Sequence, residues 1–425
     1  MFERFAIAPN LRFPVAATTF QHTFPNGLVL LAERMEHVRS IAVNFLIPAG
    51  CSRDPKGREG LAGVLAEMIT RGAGQRNSRE LMLAFDNLGI DRHESVGVHH
   101  MRFWGSTLAR NLPAALELFA DVLRRPHLPE QELEPTLELS LQDLRALEDE
   151  PASRLMVELR RKLYPWPLCN DHRGTLEGLQ AVTREDLLNH HQRYFRPSGT
   201  ILSVAGSFDF DTLRDQVERL FGDWGGTADP MPPCGPEPSG HGHVNKELEQ
   251  THLTVSYPSV PFGDPDYYNA LAAVQVLSGG MGARLFMEIR EKEGLCYSVS
   301  ASFTPQKERG YVVGYAASRN ERAQRTLDKM IHEFERLREG VTAEEVQRVQ
   351  VGLKTSLIMQ QESTSARAGS LASDWYNLGR VRSFDEIQTA IEGLTPESIA
   401  AHLERHPPRD YRIVTLGPSP LNAAR

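Results

Sequence analysis

At 425 residues and 47.6 kDa the chain is too long for one hydrophobic core, so two or more domains are expected. A hydrophobic share of 40%, a charged share of 24% and a formal net charge of −8 describe an ordinary globular chain and argue against nucleic acid as its main partner. No apolar run reaches the length of a membrane span and the N-terminus lacks a basic-then-apolar leader. The four cysteines (Cys51, Cys169, Cys234, Cys296) form no Cys-x-x-Cys pair, which reads as free thiols in a cytoplasmic protein.

In chain order, residues 28–33 and 40–48 read as paired strands, followed by a helix over about 59–71. A second helix, 78–88, stops at Gly89, a residue free to adopt the left-handed backbone that closes a helix. Strands at 90–97 and 99–109 precede an amphipathic helix at 112–124, ended by Pro126, and a long helix at 130–147 running up to Pro151. Residues 225–240 hold five prolines and four glycines and read as an extended, semi-rigid linker. Beyond it come a strand at 250–257, helices at 266–277 and 283–292, strands at 296–304 and 309–318, and helices at 320–339 and 343–361.

The halves resemble each other. Thr183 and Thr395 each cap a helix with an acid in its first turn, and each helix leads through a proline turn into a β-branched strand closed by Gly206 or Gly417. An internal duplication is the simplest explanation. The expected fold is α+β, with two homologous domains, each a largely antiparallel sheet packed with helices. The expected boundaries are 1–224, a linker at 225–240, and 241–425.

Two imidazoles at i and i+4 share one helix face and can bind one ion, while a neighbouring Glu takes a proton from the metal-bound water. Residues 60–74 (Gly60-Leu-Ala-Gly63-Val-Leu-Ala66-Glu67-Met-Ile-Thr-Arg-Gly-Ala-Gly74) resemble such a helix stripped of its ligands. The run from Leu277 to Tyr297, with Gly279-Gly280, Arg284-Leu-Phe286, Ile289-Arg290-Glu291 and Gly294-Leu-Cys-Tyr297, is more distinctive. Together these segments resemble the insulinase/pitrilysin zinc peptidase family over roughly residues 20–418.

The resemblance implies a clamshell around a chamber. It places Gly63 at the first zinc-ligand His, Ala66 at the Glu and Glu67 at the second His, and counting on by the family's spacing reaches Asp143 for the third ligand. No His lies in 38–92, so no slip of alignment restores the site, and the expectation is no metal bound by this chain. Arg290 and Tyr297 match the family's substrate-binding pair, whose guanidinium and hydroxyl are suited to a carbonyl oxygen gaining negative charge. The plainer reading of Arg290 is a surface ion pair with Glu288 or Glu293, and of Tyr297 a half-buried strand aromatic.

Other histidines suggest less. His402 and His406 are at i, i+4, but no Glu adjoins a His in the catalytic manner and Pro407-Pro408 ends the helix, which reads as a solvated helix end. His241 and His243 follow the linker and could take up metal adventitiously, His99-His100 read as alternating on a strand, and His190-His191 point apart on a helix. The resemblance therefore implies a non-catalytic subunit of a heterodimeric zinc metallopeptidase. A homologous partner would carry the zinc, and this chain would supply Arg290 and Tyr297 to peptide substrates, with no activity alone. A scaffold or peptide-binding protein of the same fold with no active complex is the alternative; a self-pairing pseudoenzyme that sequesters unfolded peptides is a weaker third.

Overall fold

The computed structural model describes residues 18–422. The first sheet contains β1 (Thr18–Thr23), β2 (Val29–Arg34), β3 (Ser40–Ile47), β6 (Asp91–Val96), β7 (Met101–Leu108) and β8 (Ile201–Gly206); β4 (Gly72–Ala73) and β5 (Arg76–Asn77) form a separate small hairpin. The second sheet contains β9 (Gly242–Asn245), β10 (Gln250–Ser259), β11 (Cys296–Pro305), β12 (Gly310–Arg319) and β13 (Arg412–Gly417). The strand orders are β1-β2-β8-β3-β7-β6 and β9-β13-β10-β12-β11. In each sheet one neighbouring pair is parallel, β2 with β8 and β13 with β9, and the others are antiparallel. Two sheets of matching order and strand sense are what a duplicated α+β unit produces.

Strand alternation sends Ile41, Val43, Phe45 and Ile47 of β3 into a core with the helices Leu61–Met68 and Leu112–Arg124. Leu253, Val255 and Tyr257 of β10 do the same beneath the helices Tyr267–Ser278 and Ala323–Arg336. The opposite faces are covered reciprocally. Leu371 and Ala372 of the helix Thr364–Leu378 pack on Leu31 and Ile201 of the first sheet, while Leu155 and Leu159 of the helix Pro151–Leu163 pack on Val414 and Leu416 of the second. Each half thus lends a helix to the other half's sheet.

Polar groups make the first of these contacts specific. Arg367 holds buried Glu33 of β2 through two hydrogen bonds of 2.7 and 2.6 Å, and Ser203 donates to the Ala368 carbonyl at 2.7 Å. Residues 225–240 contain no helix, and their one ladder contact is the isolated Ser198–Thr227 bridge. They are tied to both halves, by Gly235 N–H donating to the Trp166 carbonyl at 2.8 Å and by Glu237 pairing with Arg309 at 3.2 Å.

Two expectations about histidine are settled locally. His190 and His191 do diverge, toward the carbonyls of Ala49 and Leu123 respectively. His99 and His100 are not on a strand; they occupy the turn between β6 and β7, and both rings meet Tyr376, at 6.1 and 4.4 Å between centroids. A hairpin turn does not impose the alternation of a strand, so both can reach one partner.

Candidate functional site

The helix Leu61–Met68 is shorter than the 59–71 expected, because Gly72 turns the chain into β4. Its first residue is preceded by Gly60, which offers no capping side chain. Asp54 does the work from a distance, accepting Gly60 N–H and Ala62 N–H at 2.9 Å each. Burial pushes this carboxyl up to about 8, against the two backbone donors that favour its charged form. The folded chain therefore holds a proton here that the unfolded chain releases near the usual 3.8, and stability drawn from this group falls as pH rises from about 4 to about 8. Asp54→Asn should flatten that fall and change stability at pH 5 by less than about 1 kcal/mol, since the amide keeps one acceptor oxygen as the protonated carboxyl does. Urea unfolding at pH 5 and pH 8 checks both, and an unaltered slope would count against the assignment.

Gly63 and Glu67 lie one turn apart on this helix, with Ala66 buried beside them and Glu67 exposed. Neither Gly63 nor Ala66 carries a donor atom. A Cβ placed on Gly63 would fall on the carbonyl oxygen of His172, and Cβ atoms on Gly174 and Gly178 would fall on that of Glu59. The loop at 171–174 is therefore laid directly against the helix where the first ligand would begin. Asp143, exposed on the helix Leu133–Ala146, is close enough for its charge to act on His172 and Arg173. Glu67 acts similarly on Glu94 of β6, whose carboxyl is raised by burial and by that neighbouring charge. Two exposed carboxylates and an intruding backbone do not fit a catalytic zinc ion, which needs three protein ligands converging on an open position.

The same loop opens onto a groove. Asp171 and Arg173, joined at 2.8 Å, form one end of a cavity of about 530 Å³. Its walls are Met156 and Arg160 from the helix Pro151–Leu163, Tyr164 just beyond it, and Ser300, Ser302, Thr304 and Tyr315 from β11 and β12. The helix Pro151–Leu163 covers β10 and β13 but leaves Ser300, Ser302 and Thr304 of β11 exposed, and β11 is an edge strand of its sheet among the described residues. An edge strand with hydroxyl side chains facing a cavity suits an extended peptide, which could pair with the strand's unused backbone groups.

Arg290 and Tyr297 lie at the start of β11. Arg290 is on a π-helical turn, Phe286–Glu291, in which Lys292 N–H donates to the Met287 carbonyl five residues back. Tyr297 sits at a bulge, where the β11–β12 register slips between Cys296 and Ser298, and it is 79% exposed. It is thus not the half-buried strand aromatic of the plainer reading. The Arg290 guanidinium stands 5.1 Å from the Tyr297 ring centroid and 4.7 Å from that of Phe286. Its acidic contact is Glu291 at 3.9 Å; Glu288 pairs with Lys292, and Glu293 with Arg325 and Lys329. The two side chains expected to cooperate do adjoin. They are outside the lining of the 530 Å³ cavity, although β11 connects them to it.

The solvated reading of this helix end is corrected for His402, while Glu404 and Arg405 are exposed and His406 is half-buried. His402 is buried, 3.4 Å from Asp266, because its side of the helix end docks on the start of the helix Tyr267–Ser278 instead of facing water. His241 and His243 each use Nδ1 locally, His241 as acceptor from Ile413 N–H at 3.2 Å and His243 with the Thr415 hydroxyl at 2.8 Å. Sequence reasoning passed over Asp54, the 171–174 loop and the helix Pro151–Leu163. The glycines at 60, 63, 174 and 178 were the available signal, since glycine in two segments marks close backbone approach.

Among the described residues no helix is long and apolar enough to cross a membrane. Residues 29–166 match the family described as "Insulinase (Peptidase family M16)", and residues 181–353 match "Peptidase M16 inactive domain". An uncharacterized zinc protease of Rickettsia bellii is 25% identical over 402 residues, covering 93% of this chain and 97% of its own. The solved peptidase M16 inactive domain from Pseudomonas fluorescens superposes with a TM-score of 0.88 at 22% identity, covering 95% of this chain and 99% of that one. A protease from Helicobacter pylori gives 0.86 at 20% identity, with 95% and 100% covered. With both family matches and these shared folds spanning its two sheets, the chain belongs to the insulinase (M16) peptidase family.

Proposed function

We propose that this chain is the non-catalytic subunit of a two-chain zinc peptidase, binding extended peptide along β11 and presenting Arg290 and Tyr297 to a homologous partner that holds the zinc. The observation that carries the reading is the His172 carbonyl packed where a ligand side chain at Gly63 would begin, beside an open groove. A peptide groove without a metal centre calls for the centre to come from elsewhere. Exposed Val351, Ile358 and Met359 share a face of the helix Ala343–Gln361 and offer apolar surface to a partner.

The chain alone should not hydrolyse peptides with or without added Zn²⁺, whereas its mixture with a zinc-bearing homologue from the same source should. In that mixture Arg290→Ala or Tyr297→Phe is expected to lower kcat/KM by about 10²–10³-fold, as loss of one oxyanion donor does. Hydrolysis by the chain alone that disappears in Glu67→Ala would overturn the reading.

The stacking of Arg290 between two rings, away from the cavity lining, favours a second reading: peptide binding or scaffolding in which the pair only shapes the surface. Unchanged turnover in both variants, with the pair still assembled, would select it.

A further inference from the structure

The helix Pro396–Arg405 ends on a cluster remote in sequence from the groove residues. His402 lies in its last turn and His406 caps it, while Asp266 stands opposite at the head of the helix Tyr267–Ser278. Asp266 Oδ2 is 3.4 Å from His402 Nδ1 and 3.7 Å from His406 Nε2, and one ligand atom from each of the three residues lies within 4.8 Å of the other two. His402 is 3% exposed and directs its buried Nδ1 at the Asp266 carboxylate.

We propose that Asp266, His402 and His406 form a binding site for a divalent transition metal ion, with the donor set of Zn²⁺, that clasps these two helices together. Tetrahedral Zn²⁺ with bonds of about 2.0–2.1 Å holds its donors about 3.4 Å apart, close to the two shorter separations. Closing the third needs only a turn of the His406 ring, whose side chain is 38% exposed. Two imidazoles and one carboxylate select a borderline metal over Mg²⁺ or Ca²⁺. Pro407-Pro408 and the missing Glu beside a His count against a hydrolytic centre.

Arg405 is the present occupant. Its guanidinium donates to both Asp266 oxygens at 2.6–3.0 Å. Its side chain is 55% exposed and borders a cavity of about 170 Å³ together with His406, Pro407, Arg409 and Asp410. That cavity gives the guanidinium room to leave and a metal-bound water room to enter. Metal and guanidinium are then alternative counter-charges for one carboxylate, so they compete.

The test is titration of the full, chelator-stripped chain with Co²⁺, followed by its visible d–d bands, and then displacement by Zn²⁺. One equivalent should bind with the intense bands of a four-coordinate ion. Binding should weaken at least about tenfold in His406→Ala and Asp266→Asn, strengthen several-fold in Arg405→Gln, and be unaffected in His243→Ala. His406 and Arg405 are partly exposed, so their variants keep the test valid even if His402→Ala fails to fold. No binding to the wild-type chain, undiminished binding in His406→Ala, or loss of binding in His243→Ala would each overturn the proposal.

Discussion

Arg367→Ala is expected to destabilise the protein by about 3–5 kcal/mol, the usual consequence of stranding one partner of a buried ion pair. Glu33 is 2% exposed on β2, and Arg367 arrives from a helix 334 residues later. Remove the guanidinium and a carboxylate remains beside Ala205 and under the helix Thr364–Leu378 with nothing to balance it. The double change Glu33→Leu with Arg367→Met should recover most of the loss, because a matched apolar pair carries no desolvation cost. Denaturant midpoints of the wild type, single and double variants provide the comparison. A single variant within 1 kcal/mol of wild type would mean that water reaches Glu33.

The second large effect concerns the helix at 61–68. Alanine in place of a mid-helix glycine ordinarily stabilises by about 1 kcal/mol. At Gly63 the sign should reverse, since the new Cβ meets the His172 backbone, and Gly63→His should cost about 1–3 kcal/mol or more through overpacking. The quadruple variant Gly63→His, Ala66→Glu, Glu67→His, Asp143→Glu should accordingly fail to give zinc-dependent hydrolysis. Thermal unfolding of Gly63→Ala, with peptide hydrolysis by the quadruple variant, is the check; a more stable alanine variant or an active quadruple variant would refute the blocked-site account.

Elements with strong local signals were legible in the sequence. The helix expected at 343–361 is observed as Ala343–Gln361, begun by the Thr342–Glu345 capping box, and the helix after Thr183 starts with the same device using Asp186. The strand pair β11–β12 was read to within a residue. The helix Thr364–Leu378 went unread because its small residues, among them Ala366, Ala368, Gly369 and Ala372, give weak periodicity and gain meaning only against the first sheet. The helix expected at 130–147 narrows to Leu133–Ala146, with 3-10 turns at both ends. At the candidate site, the missing ligand atoms could be read directly from residue types. The loop pressed on Gly63, the π-helical turn under Arg290 and the bulge at Tyr297 could not, since each depends on backbone geometry that residue identity does not specify.

The exchange of helices between the halves alters what the ancestral duplication now means. Each repeat has surrendered one wall of its own layer to its sibling, so the repeats have become mutually obligate, like two hands with fingers interlaced. A motion that parted them would have to strip the Glu33–Arg367 pair and the Leu155–Val414 contact from their partners together. Any breathing of the cavity between them must come from the rims, where the edge strands lie, and the proline-rich tether is left to limit travel without steering it.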